Sequence, residues 1–279
     1  MIEQFPFKDI LLVCDMDGTL LDSNKQISRE NREALEYFVE KGGRFTIATG
    51  RMELGIVQYM PQLPINAPAI LYNGSLIYDF QKKETLWCRL LSSDVRSVLI
   101  HLMERFPQMG VEVFYGGQMY LLKENDKTDM HRKRANFSPR RASIEEIPDG
   151  WNKAILAWEH EKLKEVEKYI LENVIDAASP FYTVFSEPVF LEILSKEASK
   201  GIALKELIRI LGISHSKVIA VGDNLNDIDM INAADIGIAV DNAHEELKKV
   251  ADYCFPHNDN HAISKIVEWL DKKSEGSMV

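Results

Sequence analysis

Two aspartates, Asp15 and Asp17, stand two residues apart at the end of an apolar run, and Gly18 and Thr19 follow at once. In an extended chain, residues i and i+2 point the same way. Two carboxylates so placed repel each other unless a cation lies between them, and a hard divalent ion such as Mg²⁺ suits oxygen ligands. Gly18 would let the backbone approach an anion, and Thr19 offers a hydroxyl and an amide. A second acidic cluster, Gly222-Asp223-Asn224-Leu225-Asn226-Asp227, also follows an apolar run. Asp223 can serve as a third carboxylate ligand, and Asp227 can hold a ligated water or orient a neighbour. Thr49-Gly50-Arg51 can bind an anion through the Thr49 hydroxyl and backbone amides near a helix start. Lys200 can neutralise phosphate oxygens. Taken singly, each feature also reads as plain structure: an Asx turn, a helix cap or a solvated lysine.

The elements around these residues predict how they are positioned. Asp9 to Cys14 is continuously apolar after its first residue, as befits a buried parallel strand. Ser28 opens a helical pattern carrying Leu35, Phe38 and Val39, closed by Gly42-Gly43. Short strands at Arg44–Ala48 and Ala69–Tyr72 end in Thr49-Gly50-Arg51 and Asn73-Gly74. Strands alternating with helices imply an α/β fold with a parallel sheet, whose sites lie beyond the carboxyl ends of the strands. The rhythm changes near residue 82 to hairpin-like strands with a few helices, an α+β pattern. It returns to α/β after residue 196: a helix over Ile202–Leu211, a strand over Val218–Val221, a helix from Asp227 and a strand over Ile236–Val240. The expected organisation is a discontinuous core, 1–82 plus 197–279, with a domain inserted over 83–196.

Composition narrows the function. The chain has 279 residues, 46% of them hydrophobic, and a formal net charge of −10. That balance is ordinary for a soluble globular protein, and the acidic excess argues against broad nucleic-acid binding. Three cysteines lie far apart, so neither a disulfide scaffold nor a cysteine zinc site is expected; Cys14 falls in the apolar register of its strand. The start lacks a signal-peptide pattern, and no apolar run approaches the roughly 20 residues of a spanning helix. A cytoplasmic location and no membrane partner are the expectation. One stretch runs against the average charge: residues 123–141 carry Lys123, Lys127, Arg132, Lys133, Arg134, Arg140 and Arg141 against Glu124, Asp126 and Asp129. It reads as a solvated helix face or as a rim that attracts an anionic substrate.

In this order, the motifs resemble the haloacid dehalogenase-like hydrolases, specifically the Cof-type branch with an inserted α+β cap (type IIB). Asp15-Met16-Asp17-Gly18-Thr19-Leu20 fits the family's nucleophile motif and Thr49-Gly50-Arg51 its second motif. Lys200-Gly201 fits the third, and the stretch from Gly222 to Asp227 the fourth. Asn73-Gly74 and the stretch Ile238 to Ala243 also look like this branch. The resemblance implies a Rossmann-like core, a cap that closes over substrate, and a Mg²⁺-dependent phosphatase working through an aspartyl phosphate. It makes Asp15 the nucleophile and Asp17 the general acid, then base. Asp15, the backbone carbonyl of Asp17 and Asp223 would hold Mg²⁺; Thr49, Gly50 and Lys200 would hold phosphate. Asn226 would contact phosphate or Lys200, and Asp227 would support the metal shell. The implied substrate is a small phosphorylated metabolite, sugar phosphates ahead of pyridoxal phosphate or flavin mononucleotide, acted on by a monomer or weak dimer. Two alternatives stand beside it: a sugar-phosphate mutase of the phosphomannomutase type, and a non-catalytic phosphometabolite-binding module. One departure is Asn260-His261-Ala262-Ile263, where relatives commonly carry an Asp-Gly-Val-like run.

Overall fold

A computed structural model describes residues 6–135, 138–176, 178–213 and 217–276. Its central sheet has five strands in the order Tyr253–Phe255, Ile236–Val240, Lys217–Gly222, Ile10–Cys14, Arg44–Ile47, and every pairing is parallel. Leu11, Leu12, Val13 and Cys14 are all fully buried. Successive strand residues point to opposite faces, so both faces of the sheet are covered, which is why the strand reads as one continuous apolar run. The helix Arg29–Glu40 starts where expected: the Ser28 side chain caps it by accepting from the Asn31 N–H. It stops at Gly42 (φ 91), a left-handed position that glycine takes without penalty.

Ala69–Leu71 continues beside this sheet through a parallel bridge from Ile70 to Ala48. It also pairs antiparallel with Leu76–Asp79, and Glu84–Cys88 completes a three-stranded sheet. This hairpin lies across the boundary placed at residue 82. By contact the chain divides into two compact units. One comprises the described residues through Gly50, Ile56–Trp87 and those from Lys200 onward; the other comprises Arg51–Gly55 and Cys88–Ser199. The strand Glu84–Cys88 keeps the first unit going past residue 82, because its backbone partners belong to that unit.

The second unit is the inserted domain. Its six-stranded sheet runs Phe181–Glu187, Phe190–Ser195, Lys153–Ala157, Gly110–Tyr115, Gln118–Lys123, Arg140–Arg141. The pairings are antiparallel except the last. One face, through Val111, Val113, Leu156 and Ile193, packs with Leu99, Leu102, Leu163, Val166 and Ile170 of the helices Asp94–Arg105 and His160–Asn173. The strand residues that alternate with these include the buried pair Lys153 and Glu192, Nζ 2.9 Å from Oε1, and the buried Glu112, whose Oε2 is 2.6 Å from Nδ1 of the half-buried His131 on the helix Asp126–Ala135. The basic stretch forms the helix Asp126–Ala135 and the short strand after it. Its Lys127, Arg132, Arg134 and Arg141 bond Asp126, Asp129, Glu187 and Glu124. Much of the local positive charge is therefore matched within the same domain.

Candidate active site

Parallel pairing sends the carboxyl ends of strands 10–14, 44–47, 217–222 and 236–240 to one edge of the sheet. That edge collects Asp15, Asp17, Thr49, Asp223 and Asn242, each following one of these strands. Asp15 is 6% exposed, and its Oδ1 accepts from Lys200 Nζ at 2.6 Å. The same ammonium donates to Asp227 Oδ1 at 2.5 Å. Lys200 is the first residue of the helix Lys200–Leu211 and is completely buried, so it lies inside the helix, not ahead of it. The other oxygen of Asp227, Oδ2, accepts from the backbone N–H groups of Asp223 and Asn224 at 3.0 and 3.1 Å. Asp227 thus fixes both the lysine and the loop that carries Asp223. On the opposite side, Thr19 Oγ1 donates to Asp223 Oδ1 at 2.8 Å.

The chain curls after Asp15. The N–H groups of Thr19, Leu20 and Leu21 all donate to the Met16 carbonyl, and Gly18 sits at φ 88. A Cβ on Gly18 would come within 2.4 Å of Asp223 Oδ2, so only glycine lets the two loops meet. Asp15 groups with Asp223 and Asp227, one carboxylate oxygen of each lying within 4.8 Å of the others. The Asp17 side chain meets Lys25, whose Nζ is 2.9 Å from Asp17 Oδ1.

The loops of Thr49, Gly50 and Asn226 come together through a residue that the motifs did not single out as part of the site. Thr49 is buried at the end of its strand, and its carbonyl accepts from the Asn73 N–H at 3.0 Å. Asn73 (φ 56) is itself 1% exposed. Its Oδ1 accepts from Asn226 Nδ2 at 2.9 Å and would lie 3.0 Å from a Cβ on Gly50. Asn73 therefore links the loops of Thr49, Gly50 and Asn226. The sequence marked it only as a turn residue; the same left-handed backbone that makes a turn aims the side chain here. Asn242 and Asn258 act similarly. Asn242 Nδ2 donates to the Gly18 carbonyl and Asn242 Oδ1 accepts from the Asn258 N–H, while Asn258 Nδ2 donates to the Leu21 carbonyl. Asn242 and Asn258, the latter two residues ahead of the segment that departs from the familial run, thus clamp the loop after Asp15.

The electrostatics call for a cation. Burial pushes the Asp15 carboxyl up to about 7; Lys200 opposes this, and Asp227 and Asp17 add to it. Asp223 is also raised, by burial and by the charges of Asp15 and Asp227. Burial disfavours the Lys200 ammonium, but Asp15 and Asp227 outweigh that and hold it charged. The Cys14 thiol is raised by burial and by Asp15, which keeps it neutral. With all three ionised, Asp15, Asp223 and Asp227 against one ammonium leave two negative charges in a site of oxygen donors. That charge and donor type fit a divalent cation of the Mg²⁺ kind.

Residues 12–267 match the haloacid dehalogenase-like hydrolase family, and the chain belongs to it. It is an enzyme, a hydrolase whose aspartate-rich site serves phosphoryl transfer through an aspartate. Phosphatase YwpJ of Bacillus subtilis is 28% identical over 283 residues, covering 93% of this chain and 99% of that protein. The B. subtilis protein YxeH is 28% identical over 272 residues, covering 93% and 97%. The crystal structure of a haloacid dehalogenase-like hydrolase from Bacteroides thetaiotaomicron superposes with a TM-score of 0.82 at 30% identity, covering 93% of this chain and 98% of that one. Among the described residues, no helix is long and apolar enough to cross a membrane.

Proposed function

We propose that the protein is a Cof-type phosphatase that hydrolyses small phosphorylated metabolites, sugar phosphates first among them. The observation that carries this reading is the buried ammonium of Lys200 between Asp15 and Asp227, with Asp223 beside them and two negative charges left for a divalent ion. Asp15 and Asp223, with the carbonyl of Asp17, would hold Mg²⁺. When bound, the ion offsets the repulsion between carboxylates and phosphate and stabilises charge on the phosphoryl oxygens.

The chain's own residues perform the steps. Asp15 attacks phosphorus in line and forms an aspartyl phosphate while the ester oxygen departs. Asp17 gives that oxygen a proton and later takes one from the attacking water. Thr49, Gly50, Lys200 and Asn226 hold the phosphoryl group; Asn73 orients Asn226, and Asp227 steadies Lys200 and the Asp223 loop. The name of the B. subtilis relative YwpJ, a phosphatase, supports phosphate-ester chemistry; placing sugar phosphates first rests on the resemblance to the Cof-type branch.

The test is phosphate release from a panel of phosphorylated metabolites with Mg²⁺, with and without chelator. Metal-dependent release from several sugar monophosphates is expected. Turnover that needs a bisphosphate activator and releases no phosphate would point to a mutase. No turnover of any ester would point to a binding module.

A stability prediction follows from the buried carboxylates. Burial holds the Asp15 carboxyl up at about 7, above the ordinary carboxylate value of 3.8. The folded state therefore binds more protons than the unfolded chain between those values. The stability this contributes is present below about pH 4 and is lost as pH rises through 7. Metal-free protein is expected to show a falling Tm from pH 5 to pH 8, and excess Mg²⁺ to raise Tm more at pH 8 than at pH 5. Thermal scans at both pH values check this; an equal Mg²⁺ effect at the two would contradict it.

A further inference from the structure

The turn after the nucleophile strand carries a lysine that neither the motifs nor the carboxylate cluster accounts for. Lys25 Nζ lies 2.9 Å from Asp17 Oδ1. Lys25 has φ 59, a left-handed backbone uncommon for its type, and its neighbours hold it there. Asp22 Oδ1 accepts from the N–H groups of Asn24 and Gln26, both at 2.8 Å. The Asp22 N–H donates to the Gln26 carbonyl and the Lys25 N–H to the Asp22 carbonyl, both at 2.9 Å. Tyr59 Oη donates to the Lys25 carbonyl at 3.2 Å. Asp259 grips the same turn, Oδ1 accepting from the Ser23 N–H and Oδ2 from the Ser23 hydroxyl, both at 2.7 Å.

Strained backbone persists where the surroundings over-determine it, and it gathers at functional sites. Stability alone does not explain this turn. The Lys25 and Asp17 side chains are 40% and 31% exposed, and ion pairs open to solvent contribute little to stability. What the turn does achieve is to set an ammonium on one oxygen of the carboxyl that handles the leaving group.

We propose that Lys25 is a positioning residue for leaving-group protonation: it holds the Asp17 carboxyl by Oδ1 and complements the carboxylate left when the proton has moved. The inference rests on the phosphatase reading above. As an Asp15 oxygen bonds to phosphorus, the ester P–O bond breaks with its electron pair going to the leaving oxygen, which takes the Asp17 proton. Lys25 stays an ammonium throughout. In the second half, Asp17 takes a proton from water as water bonds to phosphorus and the Asp15–phosphorus link breaks, restoring both aspartates.

The test compares Lys25→Met and Lys25→Arg with the unaltered enzyme and with Asp17→Asn, in Mg²⁺. The readout is kcat/KM, which reports steps through the first P–O cleavage, on two esters. From p-nitrophenyl phosphate a weakly basic phenolate departs with little need of an acid. From an alkyl phosphate (glucose 6-phosphate, or glycerol 3-phosphate where that is the better substrate) a strongly basic alkoxide departs and needs the proton. Lys25→Met is expected to lose about tenfold more on the alkyl ester than on the aryl ester, a fraction of what a general acid contributes. Lys25→Arg should recover most of that difference, and Asp17→Asn should show the same bias more strongly. Equal losses on the two esters, or no loss on either, would overturn the inference while the phosphatase reading stands. Failure of the unaltered enzyme to release phosphate from any ester would defeat that reading, and this inference with it.

Discussion

Asp15→Asn is expected to lower phosphate release by at least about 10⁴-fold, the scale on which enzymes lose turnover when the nucleophile of a catalytic unit is removed. Asparagine has nearly the same shape and keeps an oxygen for Lys200 Nζ, now 2.6 Å from Asp15 Oδ1. It lacks the anionic oxygen that must bond to phosphorus. The substitution carries a second, opposite signature. Asp15 is buried and its carboxyl is raised to about 7, first by burial, so its charge is costly to the metal-free fold at neutral pH. Removing that charge should make the metal-free variant more stable than the parent at pH 8 and shrink the Tm gain from Mg²⁺. An inactive, stable protein with a weakened response to Mg²⁺ would place the nucleophile and a metal ligand on one side chain. Phosphate release above about one per cent of the parent's would move the nucleophile elsewhere.

Lys200→Met is expected to be the most destabilising single change at the site. The ammonium is fully buried and bonded to Asp15 at 2.6 Å and Asp227 at 2.5 Å. Methionine matches much of its volume, so packing survives while two buried carboxylates lose their common cation. Breaking a buried pair by removing one partner costs about 3–5 kcal/mol, because the charge left behind has no compensation. Urea unfolding at pH 8 measures the loss. It should shrink as pH falls and the carboxylates take up protons, and Lys200→Met combined with Asp227→Asn should be more stable than Lys200→Met alone. If the double variant adds the two losses independently, the lysine and Asp227 are not coupled as their geometry implies. Activity should fall as well, since Lys200 also neutralises the phosphoryl group in the proposed mechanism.

Much of the architecture is legible in local sequence. The strand Ile10–Cys14 is buried on both faces, so its apolar residues run without a break. The helix Arg29–Glu40 carries its own start signal at Ser28 and its stop at Gly42. The acidic clusters follow strands and are rich in residues with few other uses at a buried edge. The hairpin partners Leu76–Asp79 and Glu84–Cys88 were less legible. The second of these is largely open to solvent, so no strict burial pattern marks it. The helix Asp126–Ala135 has no apolar stripe to reveal it, and its cations find carboxylates that sequence proximity only partly suggests.

For the site, residue types alone supply the groups available: the aspartates, the lysine, the threonine and the glycines that admit close approach. Each is encoded by residue type and by its place at the end of an element, and neither depends on distant neighbours. Which of them face each other is set by long-range packing. Lys200 meets Asp15 across 185 residues and Thr19 meets Asp223 across 204, distances in sequence over which no periodicity carries information. The turn at Gly18 brings Thr19 to Asp223, Asp17 meets Lys25, and the left-handed Asn73 ties Asn226 to the Thr49 loop. The physical reason is that side-chain direction follows backbone dihedrals fixed by long-range packing and hydrogen bonding.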